Sequence, residues 1–186
     1  ILGLATIDIW SFQGQGRALL LDSLAGFSPD HRDRVIRHEA GHFLAALLLD
    51  IPVTGYTLSA WEAFRQGQAG AGGVSFDTQA LEAEIAGGTI SAQMVDRFCT
   101  VWMAGVAAED LVYGNTEGGG DDRAKLGLLW QQLRRPATEA QLKARWATLQ
   151  AKTLLETHQP AYNALVEAMK NRISVQECVA IVTDLT

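Results

Sequence analysis

The strongest constraint on this chain is a helix of about five turns with a polar cluster at its centre. Ser28-Pro29-Asp30 is a compact helix start: a capping hydroxyl, proline at the first helical position and an acid in the first turn. Val35, Ile36, Ala40, Phe43, Leu44, Leu47 and Leu48 then recur at helical spacing and form a broad apolar face. Asp50-Ile51-Pro52 ends the helix, because the residue before a proline is pushed out of the α region. Inside this segment lies His38-Glu39-Ala40-Gly41-His42. Residues at i and i+4 lie one above the other on a helix, so the two imidazoles can converge on one metal ion. Glu39 is one step round the helix and can reach a water held there. This is the mechanics of the H-E-x-x-H signature of zinc peptidases. Gly41 weakens the helix relative to Ala, which is reasonable where another segment passes close by.

The wider composition narrows the classes. With 186 residues, 48% hydrophobic and 19% charged, the chain is long and apolar enough for one domain with a proper core. A net charge of −6 argues against a nucleic-acid partner, which would call for a basic face. Cys99 and Cys178 have neither metal-ligand spacing nor the pattern of a disulfide framework, so two buried thiols in a reducing compartment are expected. No apolar run of about 18 residues is present to span a bilayer. There is no basic-led signal peptide and no P-loop. The chain begins at Ile1 rather than Met, which suggests a segment upstream and leaves an anchor there open.

Along the chain, residues 1–10 read as a short strand or an anchor stub, and 17–25 has helical spacing. Residues 53–58 and 73–77 read as short strands that pair or flank the cleft, separated by a loop over 61–72. A strand beside a zinc site can hold a peptide in extended form, or serve only as a structural hairpin. A short helix over 78–86 closes at Gly87-Gly88. A long one over 91–113 ends at Gly114 and is apolar on more than one face, hence central. Glu109 and Asp110 oppose its dipole and call for a partner such as a histidine or a metal, or for solvent. After the glycines at 118–120, Asp121-Asp122 open a helix that runs to about Arg135 and stops at Pro136. Adjacent acids there serve as caps, yet a two-histidine zinc site also lacks a third ligand. A carboxylate held by a glycine turn against a small residue such as Gly41 would supply one. Thr138-Glu139-Ala140-Gln141 has the pattern of a capping box that starts the next helix, which Pro160 interrupts. Ser174-Val175-Gln176-Glu177 is a second capping box, so the C-terminal half is expected to be all helical. His31 and His158 read as surface or packing residues.

Several of these stretches together resemble the peptidase domain of the FtsH-type ATP-dependent zinc metalloproteases. Arg34-Val35-Ile36-Arg37-His38-Glu39-Ala40-Gly41-His42 is similar to the family's zinc helix. Gly73-Val74-Ser75-Phe76 resembles its substrate-facing edge strand. Residues 104–114 resemble its Gly-Arg-Ala-Ala-Glu-Glu helix end, and 116–122 stand where it has a Thr-Gly-Ala-Ser-Asn-Asp turn. Residues 169–179 resemble its C-terminal helix pair, and the likeness covers about residues 30–182. The resemblance implies that His38 and His42 ligate Zn2+, that Glu39 is the general base, and that Asp122 is the third ligand, with Asp121 the alternative if the turn shifts by one residue. Glu109 falls on an acid near the ligands that would orient one of them. Gly73, Val74, Ser75 and Phe76 would align the substrate. Arg123 replaces an apolar residue of the family, and the loop over 61–72 is this chain's own.

The expected fold is mainly α, within the α+β class. It would be one peptidase domain over 1–186, with a zinc-site core over about 28–135, a small β-sheet by the site, and a C-terminal helical lobe over about 136–186. The expected activity is zinc-dependent endopeptidase hydrolysis of unfolded or flexible protein segments. In the family this activity is ATP-dependent, whereas a stand-alone homologue lacking the ATPase domain is expected here. The alternative is a non-catalytic partner or chaperone of an ATP-dependent membrane protease. The implied partners are an unfolded protein or peptide substrate and no nucleic acid. A homo-oligomer, and association with a membrane or an ATP-dependent protease, are compatible with the resemblance. The expected location is cytoplasmic, with membrane attachment upstream of Ile1 left open.

Overall fold

The structure, a computed structural model, describes residues 28–65 and 73–186. The expectations for 1–10 and 17–25, and the loop expectation for 66–72, lie outside those residues. The described chain is mainly helical with one two-stranded antiparallel sheet. In order the elements are α1 (Pro29–Leu48), β1 (Val53–Thr57), α2 (Ala60–Arg65), β2 (Gly73–Phe76), α3 (Gln79–Ala86), α4 (Ala92–Tyr113), α5 (Gly120–Gln132), α6 (Ala137–Thr157), α7 (Gln159–Lys170) and α8 (Val175–Thr183).

Helix α1 begins as its cap residues dictate: Ser28 Oγ accepts the His31 N–H, with Pro29 in the first turn. At its far end Asp50 takes φ 54°, a left-handed position that Asp tolerates, and Ile51 N–H returns to Ala46 O at 2.9 Å. Helix α4 runs from Ser91, whose hydroxyl accepts Met94 N–H, to Gly114 in the left-handed region. Helix α8 starts in the expected capping box of Ser174 and Glu177.

Two local expectations fail for local reasons. The stretch expected as loop contains α2, and Ser59-Ala60-Trp61-Glu62 is itself a capping signature. Ser59 Oγ accepts Glu62 N–H at 3.1 Å, while Glu62 Oε2 accepts Leu58 N–H at 2.7 Å. Conversely, the box at Thr138 does not form. Pro136 caps α6 without a side-chain bond, so Thr138 falls inside the first turn, and Glu139 pairs with Arg135 at 3.2 Å instead. Helix α5 also stops sooner than expected, at Gln132, with Arg134 at φ 53°.

Helix α4 is central, as an all-round apolar sequence requires. On one side Phe98, Val101, Ala104 and Ala108 pack against Phe43 and Leu44 of α1. The same cluster includes Leu155 of α6, Tyr162 and Leu165 of α7, and Val182 of α8. On the other side Cys99, Met103 and Val106 meet Leu126, Leu129 and Trp130 of α5 and Ala147 of α6. Cys99 and Cys178 are buried free thiols. Tyr162 Oη donates to Arg37 O at 2.9 Å, so α7 braces α1 from behind. In the sheet, Thr57 pairs with Gly73, Tyr56 with Val74 and Gly55 with Ser75, and the register shifts between Val53 and Gly55. Tyr56 Oη donates to Ile173 O at 2.5 Å and ties this hairpin to the chain before α8. No described helix is long and apolar enough to cross a membrane.

Gly41 lies where α1 crosses α4. A Cβ there would sit 2.6 Å from Ala104 O and 2.8 Å from Ala108 Cβ. Helix propensity alone predicts that Gly41→Ala stabilises by about 1 kcal/mol. We expect destabilisation by about 1–3 kcal/mol instead, because a backbone carbonyl cannot move aside as a flexible side chain can. Urea denaturation midpoints check this; an Ala variant as stable as the parent would mean the helices are not so close.

Candidate metal centre

Helix α1 carries His38 and His42 on its buried face, with the rings edge-on and their centroids 4.7 Å apart. Each ring is held through Nδ1. His38 Nδ1 is 2.7 Å from Glu109 Oε1, and His42 Nδ1 is 2.7 Å from Val101 O. Val101 O can only accept, so His42 donates from Nδ1, which in the neutral ring leaves Nε2 as an acceptor. Both Nε2 atoms face Asp122 Oδ2, at 3.2 Å from His38 and 3.4 Å from His42. One ligand atom from each of His38, His42 and Asp122 lies within 4.8 Å of the others, and all three residues are buried. Opposing acceptor atoms need a cation between them or a proton on an imidazole. Two imidazoles and a carboxylate, with the outer ring nitrogens already anchored, are a donor set that can hold a metal ion.

The same charges act on the protons. Burial opposes the charged form of His38, yet the Asp122 and Glu109 carboxylates raise it to about 10. Burial likewise opposes the charge on Asp122, while hydrogen bonds with His38 and His42 and the nearby Lys125 hold it well below the usual carboxylate range. In the metal-free protein the site thus keeps a proton on His38, which a metal ion would replace.

Glu109 is 1% exposed and fully engaged. Besides His38, it accepts Arg34 Nη1 at 2.8 Å, Glu117 N–H at 2.8 Å and Gly118 N–H at 3.1 Å. Burial raises its pKa, but these donors more than offset that and bring it to about 2. The partner expected for Glu109 is therefore a histidine, whereas Asp110 pairs with Lys152 at 2.8 Å. The glycine turn is moulded onto this acid. A Cβ at Gly118 would lie 2.6 Å from Glu109 Oε1, and Gly119 takes φ 82° with Val106 directly behind it. The turn accordingly packs on Glu109, His38 and Val106 rather than on Gly41, as first expected. Gly105 has a comparable role: a Cβ there would overlap the His38 ring.

The turn delivers Asp122, buried, to the histidines. Asp121 is exposed on the rim of the cleft and is not in the ligand group. The cleft itself, about 500 Å³, is walled by α1, the glycine turn and β2. Val74 and Phe76 line it while Ser75 does not, as the alternation of a strand implies, and Gly73 reaches it at the start of the strand. Glu39 faces the same space, and its Oε2 accepts Val74 N–H at 2.9 Å. The strand and the helix are thus joined at Glu39.

Three residues given no role from the sequence belong here. Arg34 binds Glu109, donates to Asn115 Oδ1 at 3.0 Å and stacks 4.1 Å above the Tyr113 ring. Lys125 donates to Asp122 Oδ1 at 3.1 Å. His31, expected to be a surface or packing residue, lines the cleft. The signals were local spacings: Arg34 four residues before His38, His31 seven before it, and Lys125 three after Asp122. His158 sits at the break between α6 and α7. No family model and no curated protein sequence matches the chain.

Two outcomes follow from this geometry. Asp122→Asn should abolish tight binding of a divalent metal, while Asp121→Asn retains it; metal content after dialysis, measured by mass spectrometry, decides between the two acids. Because the Glu109 carboxyl is depressed, its contribution to stability is complete above pH 4.5 and is lost as pH falls towards 2. Denaturant titrations of the metal-free protein should show a shallower acid limb in Glu109→Gln; equal slopes in both proteins would contradict this.

Proposed function

We propose that the protein is a zinc-dependent metalloendopeptidase that hydrolyses peptide bonds in unfolded or flexible protein segments. One observation carries the reading: His38, His42 and Asp122 converge within 4.8 Å, in the cleft that Glu39 and β2 also line. A catalytic zinc site needs three protein ligands of this kind and an open fourth position. Zinc bound there lowers the pKa of a water towards neutrality and polarises a carbonyl oxygen. The likeness to the FtsH-type peptidase domain supports the same reading, since its motifs occur in order along this chain.

The chain's own residues supply the remaining steps. Glu39 takes a proton from the attacking water and passes it to the leaving amine nitrogen. Glu109 and the Val101 carbonyl fix the two imidazoles by their outer nitrogens, so the ligand geometry is set before substrate arrives. Strand β2 offers backbone to an extended peptide at the cleft edge. The Val74 N–H, held by Glu39 at rest, becomes available to a substrate carbonyl when Glu39 turns to the water. A cleft of about 500 Å³ admits a few extended residues but no folded domain, which favours flexible segments as substrates.

The test is Glu39→Gln. Its zinc content should match the parent, while cleavage of a reduced, unfolded protein should fall by about 10²–10⁴-fold. Cleavage by the variant at the parental rate would overturn the assignment. Zinc binding without cleavage by the parent would instead favour a non-catalytic partner of another protease.

A further inference from the structure

We propose that Lys125 is a positioning residue that keeps Asp122 a one-oxygen ligand. This rests on the metal reading above and adds a role for a side chain outside the ligand set. The two oxygens of Asp122 have separate partners. Oδ2 faces both imidazoles, while Oδ1 accepts a charge-assisted hydrogen bond from Lys125 Nζ at 3.1 Å. A carboxylate with both oxygens free can grip a divalent ion through both, as calcium sites do. In a site with three protein ligands, that second bond would occupy the position a water needs.

An ion pair with Asp122 does not by itself require that Lys125 take one particular oxygen. Its side chain is half exposed while that of Asp122 is buried, so solvent screens the lysine end of the pair. An ammonium beside a divalent ion also opposes binding of that ion. The i+3 spacing, however, puts Lys125 on the face of α5 that carries Asp122. The neighbouring cation does not compete: Arg123 Nη1 turns back to Gly119 O at 3.1 Å. What Lys125 contributes is therefore the orientation of one carboxylate.

Cobalt(II) tests this, because its visible bands are intense in four-coordinate sites and weaken as further ligands bind. Full-length wild-type protein loaded with cobalt should show intense bands. Lys125→Met should keep its cobalt but lose band intensity, with kcat lowered by about 10–100-fold and KM little changed. Lys125→Arg should restore both readouts towards the parent. Bands as intense in Lys125→Met as in the parent would overturn the inference while leaving the metal site intact. Loss of cobalt from Lys125→Met would overturn it too, since the lysine would then support affinity rather than orientation. A parent that takes up no cobalt would remove both this inference and the metal reading beneath it.

Discussion

Everything at the site depends on how closely α1 and α4 cross. Gly41 lies on Ala104 and Ala108, and the His38 ring lies on Gly105. With no side chain between the backbones, the Val101 carbonyl of α4 reaches His42 Nδ1 at 2.7 Å. Were the helices pushed apart by one methyl group at each contact, that bond would lengthen beyond hydrogen-bond range and the ring would lose its anchor. The small residues on α4 are thus a requirement of the histidines as much as of the core.

Glu109 passes the same geometry on to the third acid. A buried carboxylate must be satisfied by donors, and Glu109 collects them from His38, Arg34 and the amides of Glu117 and Gly118. Folding the 115–119 turn round this carboxylate fixes where α5 begins, and hence where Asp122 points. Such a network adds little net stability, since desolvating the charges offsets much of their attraction. Its effect is to leave one arrangement of the turn in which all the donors are used.

The remaining elements brace this arrangement from outside. Tyr162 of α7 holds the α1 backbone at Arg37, and Tyr56 of β1 holds the carbonyl of Ile173. Strand β2 is thereby set against α1, with Gly73 packed on the Glu39 carboxylate. A side chain at position 73 would meet that carboxylate at 3.1 Å, and φ 128° there suits only glycine. The edge of the sheet and the acid next to the histidines are therefore one unit, although 35 positions separate Glu39 from Val74.

Features governed by neighbouring residues were legible in the sequence. The bounds of α1 followed from Ser28, Pro29 and Pro52, and the central place of α4 from its apolar faces. The shared face of His38 and His42 followed from i,i+4 geometry alone. Where local signals competed, the nearer constraint prevailed: Pro136 pre-empted the cap at Thr138, while Ser59 and Glu62 formed one that had gone unread. By itself, then, the sequence determined the helix, the histidine pair and Glu39, because covalent geometry and one turn of hydrogen bonds suffice for these. Between Asp122, which the sequence likeness favoured, and Asp121, only tertiary structure shows which meets the imidazoles, and it alone decided that Arg34 and Lys125 join them. The contact between His38 and Asp122 spans 84 positions, and its geometry exists only once a turn has closed round a buried acid on a different helix.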